Sequence, residues 1–312
     1  MTAHVWELLE RPYRHYTCDG SKTTPSGLKI GSVTQVLGTL DKPALPGWAA
    51  NVTGAGCLEL ARPGTPWRRC MACWNVTLDA VCQGVKKGED RKDPNAPLCL
   101  TPTRPYRLPK TAPAFMADVR RAGLDHNSTR DEAAFRGTTV HEIFERWVKE
   151  GAIPNPHDYR PEWQGYVRAV SKWILHMVAA RAKFEVAELI VGSTTHGFAG
   201  TCDTVAITES NGQRIRWDLK TSRQCYAKTH FRQLGAYELA SVEMGLEPTD
   251  DLAIVVLRPD GTFKASFASE VEWDTTPGES FLRVLRVWRD DQPLIKHEDA
   301  EYKARRAEEK GK

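Results

Sequence analysis

Four short polar patterns follow one another from residue 137 onward, and each brings together residue types that can do chemistry. In chain order they are Gly137-x-x-x-His141, Gly200-x-x-Asp203, Asp218-x-Lys220 and Gln233-x-x-x-Tyr237. Residues two apart in a strand point to the same face, so a strand would place Asp218 beside Lys220. Residues four apart in a helix also share a face, which predicts that Gln233 adjoins Tyr237. A lone acid such as Asp203, set among apolar residues, is costly to bury unless its charge is compensated.

The chemistry that these groups permit together is hydrolysis assisted by a divalent metal ion. Carboxylates on neighbouring strands hold Mg²⁺ or Mn²⁺, and a neutral imidazole suits Mn²⁺, so Asp203, Asp218 and His141 form a candidate metal site. Such an ion activates a water molecule and neutralises charge on a phosphoryl oxygen. Lys220 would orient the attacking water or stabilise the developing negative charge. The set predicts hydrolysis of a phosphodiester bond, and Glu188 is a further candidate acid from the preceding strand.

Each pattern taken alone also has a purely structural interpretation. His141 could be a core histidine that is hydrogen-bonded to Glu145, one turn along the same helix. Asp218 and Lys220 could form an ordinary ion pair on a strand, and the Gln-x-x-x-Tyr pair could serve only helix packing. The order and the compact spacing of all four patterns favour the functional interpretation.

The elements that must position these residues follow from hydrophobic periodicity. After short strands and turns in residues 1–35 and a short helix that begins at Ser32, the predicted elements are helices at 131–150 and 163–183, strands at 186–191, 200–208 and 213–221, a helix at 226–244, strands at 251–257 and 262–267, and a helix at 279–288. Asn211-Gly212 is typical of a hairpin turn, and the unbroken apolar run at 251–257 is typical of a strand buried on both faces. This order predicts an α/β fold with a mixed central sheet flanked by helices.

The ordered sequences GTTVH, GTCD, DLK and QLGAY resemble the RecB-like branch of the PD-(D/E)XK nuclease superfamily, including its CRISPR-associated and phage-encoded exonucleases. The resemblance covers about residues 130–270, with a weaker likeness at 31–34 and 45–48. It implies a restriction-endonuclease-like core and a Mg²⁺- or Mn²⁺-dependent DNA exonuclease. Carried over by motif, the implied metal ligands are His141, Asp203 and Asp218, the catalytic lysine is Lys220, and the residues that support the site and contact DNA are Gln233 and Tyr237.

The resemblance also implies a partner and a setting. DNA ends or single strands are the expected partner, in phage or prophage DNA recombination or repair. The sequence has no Gly-x-x-x-x-Gly-Lys-Ser/Thr loop, so this chain carries no P-loop motor, and it is expected to act alone or with a separate helicase or annealing protein. Two alternatives stay open: a DNA-binding or assembly subunit with a silent nuclease fold, and an endonuclease of the same superfamily.

A basic, cysteine-rich segment precedes the four patterns. Five of the eight cysteines lie between residues 57 and 99, and residues 57–130 contain 13 Lys and Arg against 7 Asp and Glu, although the whole chain has a net charge of only +3. Its many prolines and glycines predict loops with little regular structure. We interpret residues 57–112 as an insertion, which would guide DNA by its charge, in a single nuclease domain spanning 1–292 with its core at about 130–290. A charged tail is expected at 293–312.

The clustered cysteines predict a second kind of metal site. Cys70-x-x-Cys73 is a chelating pair that Cys82 and Cys99 could complete, with Cys57 as the alternative ligand. Thiolates suit structural Zn²⁺, the same ligands could hold a 4Fe–4S cluster, and free thiols in a reducing compartment are the third interpretation. RecB-like nucleases that carry a cluster typically place its cysteines after the Gln-x-x-x-Tyr motif, and that arrangement does not transfer here. The remaining cysteines, predicted to be small apolar residues, are Cys18, Cys202 and Cys225.

The overall composition excludes several classes of protein. With 312 residues, 41% of them hydrophobic and 27% charged, the chain has the make-up of a globular protein. Its longest apolar stretches are too short to span a bilayer, and its N-terminus lacks the basic and apolar regions of a signal peptide. We therefore expect a cytoplasmic protein of a bacterial cell or phage-infected host, without a membrane partner.

Overall fold

A computed structural model describes residues 4–9, 15–40, 49–55, 57, 116–117, 119–120, 124–208 and 212–310. The chain divides into two compact units, one formed by residues 1–41 and 136–312 and the other by residues 42–135. The first unit contains the sheet and its helices. The helical segment at residues 49–55 belongs to the second unit.

The order of helices and strands agrees with the sequence prediction. The strands are β1 (Trp6–Leu9), β2 (His15–Cys18), β3 (Gly31–Ser32), β4 (Ala182–Ser193), β5 (Phe198–Thr208), β6 (Arg214–Lys220), β7 (Asp251–Leu257) and β8 (Phe263–Phe267). The α-helices are α1 (Val33–Leu37), α2 (His126–Glu150), α3 (Pro161–Ala179), α4 (Ala227–Glu243) and α5 (Pro277–Lys310), and short 3₁₀ helices lie at Pro156–Asp158 and Ala268–Glu270. No helix among the described residues is both long enough and apolar enough to cross a bilayer.

The central sheet is mixed, as predicted. The strands run in the order β4, β5, β6, β7, β8, and the short β3 pairs with the first residues of β5. The pair β6–β7 is parallel, whereas β4–β5, β5–β6 and β7–β8 are antiparallel. A parallel pair needs a crossover connection, and α4 supplies it between β6 and β7. The first unit is therefore an α/β structure.

Helices cover both faces of this sheet. Alternate residues of β7 show the division: Leu252 and Ile254 pack in one apolar cluster with α1, α4 and α5, while Ala253 and Val255 pack in another with α2 and α3. Strand β7 is thus buried on both sides, which explains its unbroken apolar sequence. The core of the unit lies in these two layers.

Strands β5 and β6 separate part of the way along their length. Their paired residues run from Thr204 opposite Trp217 to Ile207 opposite Arg214. Beyond Trp217, β6 continues beside β7 only, while β5 is paired with β3 at Phe198 and Ala199. Residues 200–203 of β5 therefore face a gap between two neighbours, which we call the fork.

Several predicted boundaries are wrong. Helix α2 begins at His126 rather than at residue 131, and strand β4 spans Ala182–Ser193 rather than 186–191. The second helix ends at Ala179 rather than at residue 183, because Arg181 turns the chain with a positive φ of 52° and β4 begins directly after it. The last helix does not stop at residue 288, since α5 continues through Pro293 to Lys310. The segment predicted as a charged tail is rich in Ala, Glu, Lys and Arg, which are strong helix formers, so it extends the helix.

Candidate functional site

Helix α2 brings His141 to the fork. Its apolar residues Val140, Ile143 and Phe144 are buried against the sheet, and this anchoring fixes the direction of His141. The imidazole Nδ1 lies 3.3 Å from Glu188 Oε1 and 3.3 Å from Asp203 Oδ2. His141 is therefore directed toward two carboxylates on neighbouring strands.

The purely structural interpretation of His141, a hydrogen bond to Glu145, does not match its observed contacts with Glu188 and Asp203. Glu145, one turn further along α2, pairs instead with Lys149, whose Nζ lies 2.6 Å from Glu145 Oε1. That ion pair is on the exposed side of the helix, where such contacts contribute little to stability. Glu145 therefore serves below as a control residue.

Asp203 closes the end of the β5–β6 ladder. The Leu219 backbone N–H, which lies beyond the last paired residues, donates to Asp203 Oδ2 at 2.8 Å. A carboxylate thus accepts a hydrogen bond that strand pairing would otherwise satisfy, and a buried N–H needs such a partner. This arrangement explains how an acid with a side chain only 7% exposed is accommodated in an apolar strand.

Glu188 faces the same site from β4. The neighbouring residues Ala187 and Leu189 pair with Thr204 and Cys202, so Glu188 lies across from Asp203. Its φ of 52° is a left-handed conformation inside a strand, which is strained for a residue with a β-carbon. The strain accompanies a carboxylate directed at His141, and strained backbone of this kind is found at functional sites.

The side chains of His141, Glu188 and Asp203 form a set that suits a divalent cation. Each offers one ligand atom, and the three atoms lie within 4.8 Å of one another. Two carboxylate oxygens and one imidazole nitrogen match the preferences of Mn²⁺, and the oxygens those of Mg²⁺. The side chains of His141 and Glu188 are 27% and 28% exposed, so the set is open to solvent on their side.

Asp218 and Lys220 lie side by side on β6, as the two-residue spacing predicts. They share a face because Trp217 and Leu219 pack into the cluster on the other face, and the Lys220 Nζ forms an ion pair with Asp218 Oδ2. Asp218 is 1% exposed, and its Oδ2 has no hydrogen bond of good geometry within the described residues. The ion pair therefore leaves that oxygen with acceptor capacity for a further ligand.

The charges of the site depend strongly on one another. Burial raises the pKa of Asp218 to about 6, reinforced by Asp203 and opposed by the Lys220 ammonium. Burial also disfavours the charged form of Asp203, but His141 and Lys220 hold the pKa of that carboxyl below its usual value. For His141, burial is outweighed by Asp203 and Glu188, which raise the imidazole pKa to about 10. The negative carboxylates thus stabilise a cation at this position, here the protonated imidazole.

Gln233 and Tyr237 connect α4 to the fork. The Gln233 Nε2 donates to the Tyr237 hydroxyl at 2.9 Å and lies 3.5 Å from Asp218 Oδ1. Tyr237 is 3% exposed, and its ring lies against the backbone of Gly200, where an added β-carbon would come within 2.3 Å of Tyr237 Cε1. The glycine of the second pattern therefore makes room for the tyrosine of the fourth.

The two motif glycines should respond oppositely to alanine. We expect Gly200→Ala to destabilise the protein by about 1–3 kcal/mol because the new methyl group clashes with the Tyr237 ring. Gly137→Ala should stabilise it by about 0.5–1 kcal/mol, because Gly137 lies in α2 and a β-carbon there comes no closer than 3.9 Å to Thr221 Oγ1. Urea denaturation of both variants measures the difference, and similar losses of stability would contradict this packing argument.

A buried arginine beside the site was missed by the sequence argument. Arg216 is 1% exposed, and its Nε donates to Glu238 Oε2 at 2.9 Å while its Nη1 donates to Cys202 Sγ at 2.8 Å. Cys202 is thus a hydrogen-bond acceptor as well as a small core residue, and burial raises the pKa of its thiol to about 12. The signal was present in the alternation of β6, since Arg216 is two residues from Asp218.

The predicted cysteine metal site falls mainly outside the described residues. Cys70, Cys73, Cys82 and Cys99 lie there, as do residues 45–48 and most of the predicted insertion. Cys57 is described, and its Sγ lies 3.7 Å from Met116 Sδ. The choice between zinc, an iron–sulfur cluster and free thiols stays a prediction. The described cysteines, none of them in a disulfide, are Cys18, Cys57, Cys202 and Cys225.

Five elements each direct at least one polar side chain toward the fork: helix α2, strands β4, β5 and β6, and helix α4. All four sequence patterns are represented there: His141, Asp203, the pair formed by Asp218 and Lys220, and Gln233 with Tyr237. Glu188 joins them from β4. In comparisons with known proteins, the chain matches no protein-family model and no curated protein.

Proposed function

We propose that this protein is a metal-dependent DNA exonuclease of the RecB-like, PD-(D/E)XK type. The observation that carries the proposal is the fork, where Asp203 from β5 and the Asp218–Lys220 pair from β6 meet His141 from α2. The sequence resemblance leads us to expect a mixed sheet that carries these acids and the lysine on neighbouring strands. Helices on both faces of the sheet are compatible with the same fold.

The divalent ion would be held by His141, Glu188 and Asp203. Asp218 would be a further ligand, because its Oδ2 can still accept another contact. When bound, Mg²⁺ or Mn²⁺ supplies charge neutralisation at a phosphoryl oxygen and activates a water molecule. Lys220 would place a positive charge beside the reacting phosphate and stabilise the charge that develops in the transition state. Gln233, which is hydrogen-bonded to Tyr237, would position Asp218 through the contact between its Nε2 and Asp218 Oδ1.

The decisive experiment is a cleavage panel with linear and closed-circular DNA, single- and double-stranded, in Mg²⁺, Mn²⁺ or EDTA. We expect wild-type protein to degrade linear DNA only with a divalent metal, and Asp218→Ala and Lys220→Ala to be inactive. Cleavage of closed circles would instead indicate an endonuclease, because an exonuclease needs an end. Metal-independent DNA binding without cleavage would favour a silent binding subunit, and equal activity in all three proteins would refute the proposed site.

Metal binding should also be visible as thermal stabilisation. A ligand that binds only the folded state at 100 times its Kd adds about 2.7 kcal/mol, so saturating Mn²⁺ should raise the Tm of a chain of this size by about 4 °C. Glu188→Gln should lose most of this shift because it removes one charged ligand of the set. Glu145→Gln, a change of an acid on the same helix as His141, should keep it. Equal shifts in the two variants would exclude Glu188 as a ligand.

A further inference from the structure

A second cationic group lies close to the fork on α2. The guanidinium of Arg136 is 4.5 Å from the centre of the Tyr166 ring, in a cation–π arrangement. Its Nη2 lies 3.5 Å from the Thr221 carbonyl oxygen, at the outer limit of a hydrogen bond. The aromatic ring and the carbonyl thus fix the plane and direction of the guanidinium.

The buried Nε of Arg136 is an unused hydrogen-bond donor. No carboxylate of the described residues forms an ion pair with Arg136. Two other cations of this unit do have acidic partners, since Arg216 pairs with Glu238 and Lys220 with Asp218. The buried Nε–H of Arg136 has therefore lost hydration without gaining a hydrogen bond in return. Such a group is suited to receive an anion.

The neighbours of Arg136 place that anion beside the candidate catalytic groups. Thr221 directly follows Lys220. Helix α2 approaches Thr221 not only at Arg136 but also at Gly137, where an added β-carbon would be 3.9 Å from Thr221 Oγ1. One turn after Gly137, the same helix contacts Asp203 through His141. Arg136 and His141 are therefore two positions of one rigid helix that both face the end of β6.

We propose that Arg136 binds a phosphate group of the DNA strand next to the bond that is cleaved. This inference rests on the proposed nuclease function and adds a substrate-binding residue outside the four sequence patterns. The ligand is a phosphate diester or a terminal phosphate, because the planar guanidinium group of an arginine can donate to two phosphate oxygens at once. Stacking on Tyr166 holds the guanidinium group of Arg136 in place before the DNA strand binds, which reduces the entropy lost on binding.

The test is DNA binding by the full chain in EDTA, measured by fluorescence anisotropy over a series of salt concentrations. Each phosphate contact contributes about 0.7–0.9 to the slope of log K against log salt. We expect Arg136→Ala to reduce that slope by about one and to weaken binding about tenfold or more. Arg136→Lys should keep the slope but bind DNA less tightly, because it retains the positive charge and loses the planar guanidinium group.

Arg160→Ala is the matched control, since Arg160 stacks on Trp163 at 4.6 Å in the same unit but belongs to another helix. It should leave the slope unchanged. Arg136→Gln, which keeps a planar stacking group without charge, replaces the alanine variant if circular dichroism shows that the latter is unfolded. An unchanged slope in the uncharged Arg136 variants, or an equal decrease in Arg160→Ala, would overturn the inference. Wild-type protein that never cleaves DNA would refute the nuclease proposal, whereas a slope that decreases in Arg136→Ala but not in Arg160→Ala would still support a phosphate contact at Arg136.

Discussion

Asp203→Asn is expected to reduce DNA cleavage by about 10³-fold, equivalent to about 4 kcal/mol of transition-state stabilisation. The amide oxygen can still accept the Leu219 N–H, so strand pairing around the fork should be retained. The negative charge that faces His141 and would bind the divalent ion is lost. Single-turnover degradation of a linear duplex measures the effect, and calorimetric titration with Mn²⁺ should show a matching loss of affinity.

The control for Asp203→Asn is Glu145→Gln, which removes a carboxylate from an exposed ion pair on α2. It should cleave DNA at the wild-type rate. Asp203→Asn should remain folded because the hydrogen bond to Leu219 is preserved, although its urea midpoint should fall because the charge that pairs with His141 is lost. Full cleavage by Asp203→Asn, with normal folding, would remove Asp203 from the site.

Lys220→Met is expected to reduce cleavage by about 10²–10³-fold, because the positive charge beside the reacting phosphate is lost. It also leaves Asp218 buried without its cation, and removing one partner of a buried ion pair costs about 3–5 kcal/mol when the other stays charged. The pKa of Asp218 should then rise above its present value of about 6, since Lys220 opposes the effect of burial there. Activity and stability therefore both decrease, for different reasons.

The two effects of Lys220→Met separate with pH and with a second substitution. A carboxyl whose folded pKa is raised binds its proton more tightly in the folded state, so its contribution to stability falls as pH rises from about 4 through the folded pKa. The stability deficit of Lys220→Met should thus be larger at pH 8 than at pH 5 in urea denaturation. The double variant Asp218→Asn with Lys220→Met should recover much of the stability, because no unpaired charge remains, and stay inactive. Recovery of activity together with stability would show that the pair is structural.

The regular elements were predictable because their sequences carry local signals. Strand β7 matches its predicted limits, Asp251 to Leu257, since a strand buried on both faces must be apolar at every position. Helix α2 was identified by the apolar face that includes Val140 and Phe144. The extension of α5 beyond residue 288 was missed because its described side chains at 293–298 and 300–302 are exposed, so helix propensity rather than burial determines its structure.

The polar site was predictable only in part. The spacing of Asp218 and Lys220 specifies their contact within one strand, and the four patterns indicate which elements meet. Glu188 was a candidate acid from its strand, but its contact with His141 could not be predicted, because it depends on the pairing of β4 with β5 and on a left-handed backbone in mid-strand. Arg136 belongs to no pattern, and its setting depends on Tyr166 and Thr221, which are distant along the chain.

The fork also sets a limit on how this sheet can become more stable. Continued pairing of β5 and β6 beyond Thr204 and Trp217 would add ladder hydrogen bonds, but it would take the Leu219 amide away from Asp203. The carboxylate would lose the contact that orients it toward His141 and Glu188. Substitutions that favour a longer ladder are therefore expected to increase stability and reduce activity. Directed evolution for heat resistance should select stabilising substitutions elsewhere in the molecule and leave the split between these two strands intact.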